Sequence, residues 1–134
     1  MKFKEMLSDV LNEEIGEFYR INDIWKFSVE GREGPTPHIH FFNGDGPKKS
    51  SISGCYLIFE NDYFDHGLYK GRMPAKVKKD FLNVMSNNDA FIYVVNEWNV
   101  ANEHKHIGNI VNPFSGKNVL IPKPTVMDKP PILI

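Results

Sequence analysis

The hydrophobic and polar positions of the chain change their spacing from one stretch to the next, and each spacing predicts an element. Between residues 2 and 13 the apolar positions recur at helical spacing, at Phe3, Met6, Leu7, Val10 and Leu11, which predicts an amphipathic helix. Residues 23–30 instead alternate, with Trp25, Phe27 and Val29 on one side, as in a half-buried strand. The pattern therefore begins with a helix and continues into a sheet.

Turn-forming residues divide the next region into short strands. Glycine and proline concentrate at 31–37 (GREGPTP) and 43–49 (NGDGPKK), which predicts two loops. The stretches between and after these loops predict strands at 38–42, 53–59 and 63–66. Connections this short favour an antiparallel meander.

Helical spacing returns after Pro74, a residue that suits the first turn of a helix. The apolar stripe of this helix consists of Val77, Phe81, Leu82 and Met85. Asp89 can cap a further helix over 90–104. Val94 and Val95 are also compatible with a strand in this stretch, which is the alternative. Together these elements predict an α+β domain in which helices pack on one face of a three- or four-stranded, mainly antiparallel sheet.

The helical pattern stops at residue 108, and the chain becomes rich in proline. We therefore expect a single domain over 1–107 and a C-terminal arm over 108–134, with a short strand at 119–121 as an open alternative. The apolar end of the arm, 132–134, predicts docking on the domain itself. Homo-oligomer formation through the arm is the alternative.

Composition and charge exclude several classes of protein. The chain has 134 residues, with 16 basic and 17 acidic side chains, which argues against a globally basic nucleic-acid clamp. A single cysteine, Cys55, cannot form an intramolecular disulfide, and we expect it to be a buried core thiol. No apolar run approaches the roughly 18 residues that a membrane span needs. We expect a cytoplasmic protein with no membrane partner.

Histidines form the most concentrated chemical feature. His38 and His40 are two residues apart in a predicted strand and would share one face, which makes them half of a candidate metal site. His66 could add a third ligand, and Asp65 beside it could serve acid–base catalysis with the histidines. A solvent-facing or hydrogen-bonded histidine pair is the structural alternative. A second pair, His104 and His106, would not share a helix face.

A local basic cluster follows Tyr69. It consists of Lys70, Arg72, Lys76, Lys78 and Lys79. Cations beside an aromatic ring can hold phosphate and stack a base, but such a run is more often solvated surface. A nucleic-acid partner is therefore an open alternative that we do not favour.

Three short motifs carry a resemblance to a known family. They are PHIHF at 37–41, GRMP at 71–74 and EWN at 97–99, behind an aromatic strand with Trp25 and Phe27. Over residues 22–102 the chain resembles the small bacterial family catalogued as domain of unknown function 4160. The resemblance implies the sheet-and-helix core, a role for His38 and His40, and an association with toxin–antitoxin or mobile-element loci, but no reaction. The chain departs from the family pattern at 32–34 (REG).

These observations favour an interaction or regulatory module of bacterial or mobile-element origin, whose functional patch is the histidine-bearing strand face and whose partner is a protein. No cofactor is required for this function. The alternatives are a metal-dependent hydrolase or nuclease that uses His38, His40 and His66 to hold a divalent metal, and a nucleic-acid-associated regulator that uses the basic cluster. Whether the protein is an enzyme stays open.

Overall fold

A computed structural model describes residues 15–21, 24–31, 36–43, 52–102, 108–122 and 128–130 of the protein. The strands are β1 (Ile15–Ile21), β2 (Trp25–Glu30), β3 (His38–Asn43), β4 (Ser53–Leu57), β5 (Asp62–Tyr63), β6 (Asn109–Val111) and β7 (Asn118–Leu120). The helices are α1 (Ala75–Ser86) and α2 (Asn88–Asn102). The predicted helix over 2–13 lies outside the described residues.

The first five strands form an antiparallel meander in the order β1-β2-β3-β4-β5. Their register aligns Phe27 with Phe41 and Ile39 with Tyr56, so the apolar side chains of neighbouring strands fall on one face. Both helices contact this face: Phe81 of α1 stacks on Phe27 with ring centroids 5.0 Å apart, and Tyr93 of α2 lies edge-on to Tyr19 of β1. The predicted α+β fold is confirmed.

The sheet has one strand more than the three or four predicted. The sequence pattern did not predict strand β1. The register of this strand with β2 shifts between Glu17 and Tyr19, and such a bulge interrupts the two-residue alternation. Strand β4 ends at Leu57, before the predicted end at 59, and β5 covers only Asp62–Tyr63 instead of 63–66. The chain turns between them at Asn61, whose φ is 54°.

The two helices confirm the helical spacing of apolar residues that the sequence shows after Pro74. Helix α1 begins directly after Pro74 and buries Val77, Phe81, Val84 and Met85. The second stretch is the helix α2, so the strand alternative for it is wrong. The helix begins at Asn88, and the Ala90 amide donates to Asn87 Oδ1, so the prediction that Asp89 caps it is also wrong. The two helices and the sheet enclose one core, whose largest side chains include Trp98, Tyr56, Phe27, Phe41, Phe81 and Phe91.

The region after residue 108 contributes to this core. Strands β6 and β7 pair as a hairpin, which agrees with the alternative of a short strand near 119–121, and Val119 and Ile121 are buried. Asn112 fastens the hairpin to the junction of the helices: its amide donates to the Met85 carbonyl at 2.9 Å and to Asn88 Oδ1 at 3.0 Å. Its own oxygen accepts from the Phe114 amide.

Part of the arm rests on its own domain. The Tyr19 hydroxyl donates to the Pro130 carbonyl at 3.5 Å, and Lys129 Nζ lies 5.3 Å from the centre of the Tyr19 ring. Oligomer formation through the arm stays a prediction. Within the described segments, neither helix has the length and apolar character that crossing a membrane requires.

Candidate metal centre

Strand β3 lies in the middle of the sheet and places His38 and His40 together, on the face opposite Ile39 and Phe41. The prediction that the two imidazoles share a face is confirmed. They are 0% and 1% exposed, however, so they do not form a solvent-facing pair. Ser28 and Cys55 occupy the neighbouring positions on β2 and β4, because each is the register partner of His40.

A loop over residues 64–71, which we call the cover loop, brings a third histidine to this face. The loop is fastened to β4 at both ends: the Phe64 amide donates to the Cys55 carbonyl at 3.0 Å, and the Gly71 amide donates to the Ser53 carbonyl at 2.8 Å. Between these anchors His66 and Tyr69 exchange backbone hydrogen bonds around a tight turn. Gly67, with φ of 58°, provides the positive φ that such a two-residue turn needs at its first central position.

The three histidines converge. Ring centroids are 5.2 Å apart for His38 and His40, 5.2 Å for His38 and His66, and 6.0 Å for His40 and His66. One nitrogen from each ring lies within 4.8 Å of the others. A tetrahedral zinc ion with bonds of about 2.0–2.1 Å separates its nitrogen ligands by about 3.3 Å, so the three nitrogens would have to move closer together to bind one ion.

A hydrogen bond orients the His38 ring. Its Nδ1 lies 2.7 Å from the Thr36 carbonyl oxygen, and because a carbonyl only accepts, Nδ1 must carry the proton. The lone pair of the neutral ring is then on Nε2, which is buried in the site. Histidines that bind metals usually donate their other ring N–H to a carbonyl or carboxylate in this way.

His40 lies between an acid and a thiol. Its Nε2 is 3.2 Å from Glu30 Oε2, and its Nδ1 is 3.6 Å from Cys55 Sγ. The Glu30 side chain is only 19% exposed. Its carboxylate favours a proton on Nε2 by charge alone, because the contact does not have hydrogen-bond geometry. The lone pair of a neutral His40 ring is then on Nδ1, towards Cys55.

Aromatic side chains enclose the histidines. Phe64 and Tyr69 of the cover loop lie 5.0 Å and 4.6 Å, centroid to centroid, from the rings of His38 and His40. Trp98 of α2 lies 5.1 Å from His38. This apolar surrounding restricts water around the imidazoles and strengthens electrostatic interactions among them.

Sequence reasoning missed Glu30, Phe64 and Trp98 as neighbours of the site. The alternation along β2 already placed Glu30 on the face opposite Phe27, which was a usable signal. Trp98 and Phe64 gave none, because their positions depend on how α2 and the cover loop pack against β3.

Asp65 lies beside the cluster but does not belong to the group of three ligand atoms. Its carboxylate pairs with the Arg72 guanidinium at 3.0 Å, and both side chains are about half exposed. Cys55 is buried, as predicted. His104 and His106 lie outside the described residues.

The basic cluster is split between two elements. Lys70 lies near the end of the cover loop, and Arg72 follows the loop directly. Lys76, Lys78 and Lys79 lie near the start of α1, whose first turn has no acidic residue. Arg72 and Lys78 both lie over the Tyr63 ring, at 4.4 Å and 5.1 Å from its centre. Two of the five cations thus interact within the domain, and nucleic-acid binding by the cluster stays a prediction.

The fold and the site define a small α+β protein with a buried histidine cluster on one face of an antiparallel meander. No family model, curated protein or solved structure matches the chain. The resemblance to domain of unknown function 4160 therefore stays a prediction, and any functional conclusion depends on the geometry of the cluster.

Proposed function

We propose that this protein binds one divalent transition-metal ion through His38, His40 and His66. The convergence of three imidazole nitrogens within 4.8 Å of one another carries the proposal. Imidazole ligands suit zinc, copper, nickel and iron, whereas magnesium and calcium prefer oxygen. The Thr36 carbonyl supports the same reading, since it leaves His38 Nε2 as the lone-pair nitrogen.

Burial favours a metal over direct contact between the strand face and a protein partner. Because His38 and His40 are almost fully buried, the imidazoles of β3 cannot touch a macromolecule without rearrangement of the cover loop. In this proposal a regulatory or interaction role, in the cytoplasm, would act through the metal site and the loop that covers it.

Three protein ligands alone leave one coordination position open, as in catalytic zinc sites. A metal bound there would supply a water of lowered pKa or a polarising charge, which is the basis of the hydrolase alternative. Among the residues of the site, Glu30 is the carboxylate nearest to His40. In both the regulatory and the hydrolase hypothesis, Glu30 orients the His40 imidazole.

Calorimetric titration of the chelator-treated protein with zinc tests the proposal. We expect one ion per chain, and thermal stabilisation equivalent to about 2.7 kcal/mol at a free zinc concentration 100 times the dissociation constant. The variant His66→Ala should lose this binding, because it removes one of three ligands from a partly exposed position that the core does not need.

Leu68→Ala is the matched control. Leu68 lies in the same tight turn and is 95% exposed, so its truncation should leave both fold and metal affinity unchanged. Absence of zinc, nickel and cobalt binding by the wild-type protein would refute the proposal. Equal affinities for wild type and His66→Ala would refute the assigned ligand set.

A further inference from the structure

We infer that the Cys55 thiolate is the fourth ligand of this metal, so that the centre is closed by three histidines and one cysteine. The inference rests on the proposed function and names the coordination and the metal class of the same site. The observation behind it is the 3.6 Å contact between Cys55 Sγ and His40 Nδ1. Cys55 is fully buried. Its Sγ lies outside the set of three histidine nitrogens that are within 4.8 Å of one another, so closing the centre requires Sγ and these nitrogens to draw together around the ion.

The contact distance fits two ligands of one ion. With bonds of about 2.3 Å to sulfur and about 2.0–2.1 Å to nitrogen, a tetrahedral zinc ion separates the two ligand atoms by about 3.5–3.6 Å. Cys55 and His40 face each other across the β3–β4 ladder as register partners. The backbone of the sheet therefore keeps the two residues side by side, and the remaining approach of Sγ to the other two histidines would come with metal binding.

Glu30 determines which nitrogen of His40 faces the sulfur. Its carboxylate lies 3.2 Å from Nε2, so its charge favours a proton on Nε2, and in that tautomer the lone pair of Nδ1 points towards Sγ. Lone pairs of Nδ1 and of the thiolate can then meet at one ion. Glu30 acts as a positioning residue, since it touches His40 and does not ligate the metal.

The charges of a closed centre balance in a buried site. Three neutral imidazoles would leave both charges of a divalent ion uncompensated, which is costly where water is restricted. As the metal–sulfur bond forms, the S–H bond breaks, and its proton passes to solvent. The thiolate and the nearby Glu30 carboxylate then offset the charge of the ion.

A thiolate ligand also limits which metals the site would prefer and which role the bound metal would have. Sulfur favours zinc, cobalt and copper over manganese and magnesium. Four protein ligands leave no position for a reacting water, which is typical of structural zinc sites. The inference therefore points away from hydrolysis and towards a metal that holds the cover loop against β3.

Cobalt substitution of the full-length chain tests the inference. Cobalt(II) bound to a thiolate shows a sulfur-to-metal charge-transfer absorption in the near ultraviolet, whereas nitrogen and oxygen ligands give only the visible ligand-field bands. We expect both features in the wild-type protein. Cys55→Ser should keep the visible bands, lose the near-ultraviolet absorption and bind zinc at least about tenfold more weakly, a loss that even outer partners of metal ligands produce.

The possible results separate this inference from the proposed function. Cobalt bound without charge-transfer absorption, together with unchanged zinc affinity of Cys55→Ser, would overturn the thiolate ligand and leave the three-histidine site intact. Failure of the wild-type protein to bind cobalt or zinc would overturn both. Circular dichroism of Cys55→Ser and Cys55→Ala shows whether each variant is folded. Measurements on either variant, if it is folded, decide whether Cys55 is a ligand.

Discussion

Gly54 lies where the cover loop returns to the sheet, and Gly54→Ala should destabilise the fold and loosen the proposed metal site together. A Cβ atom at this position would lie 2.5 Å from Cζ of Phe41 and 2.6 Å from the Gly71 carbonyl oxygen. Ordinary contacts begin at 3.4 Å, so the new methyl group would be too close to both neighbours. The Phe41 ring is packed in the core, and the Gly71 oxygen belongs to backbone, so neither can yield freely.

The expected cost follows from these contacts. Overpacking of a close-packed core costs about 1–3 kcal/mol, and loss of the Gly71–Ser53 hydrogen bond adds about 0.5–1.5 kcal/mol. Reduced freedom of the unfolded chain returns about 0.4–1 kcal/mol. The net loss is about 2–3 kcal/mol, which lowers the melting temperature of a chain of this size by about 6–12 °C.

Urea unfolding, followed by the fluorescence of Trp25 and Trp98, measures this loss, and zinc titration of the folded variant measures the effect on the site. Gly116→Ala is the control, because its φ of 75° makes a side chain strained although nothing lies within 4 Å of the added atom. It should cost about 1–2 kcal/mol and leave zinc affinity unchanged. The packing argument fails if Gly54→Ala is no less stable than Gly116→Ala.

Three further predictions test other parts of the molecule. Asn112→Ala should cost about 2–4 kcal/mol in urea unfolding, because it leaves buried partners at the helix junction without their hydrogen bonds; a loss below that of Gly116→Ala would contradict this. Burial raises the pKa of three tyrosines to about 12, so their contribution to stability is complete below about pH 10 and is lost as the pH rises towards about 12; ultraviolet titration of tyrosinate should show late-titrating groups, and they are Tyr19, Tyr56 and Tyr93. If the basic cluster binds nucleic acid, gel retardation should weaken steeply with salt and with Lys76→Glu, and no retardation of the wild type at low salt would end that hypothesis.

How much of the site could be predicted depends on the range of the interactions. The common face of His38 and His40 is a local property, since two-residue spacing in a strand determines it. Alternation also predicted β2, and the loops on either side of residues 38–42 predicted β3. The bulge in β1 interrupts that same alternation, which is why the strand was missed.

That His66 and Cys55 lie next to His38 and His40 depends on long-range structure. Cys55 faces His40 only because β3 and β4 pair in one register, and the glycine-rich residues between these strands carry no pattern that determines it. His66 reaches the site because the cover loop leaves β4 at Phe64 and returns at Gly71. The glycine in GRMP was visible in the sequence, but the atoms that exclude a side chain there belong to Ile52 and Ser53.

The architecture of the site determines which part of it responds to a metal. His38, His40 and Cys55 are held in neighbouring strands at the middle of the sheet, whereas His66 is held by a turn that is fastened at its two ends. Ligand nitrogens up to 4.8 Å apart must approach to about 3.3 Å, and the sheet resists displacement more than the turn does. Binding of a metal should therefore draw the cover loop inward and fix the exposed Leu68 at its tip. If the proposed metal binds, a buried metal centre and a regulatory surface are compatible functions of the cover loop, because His66 lies on its inner side and the exposed Leu68 on its outer side.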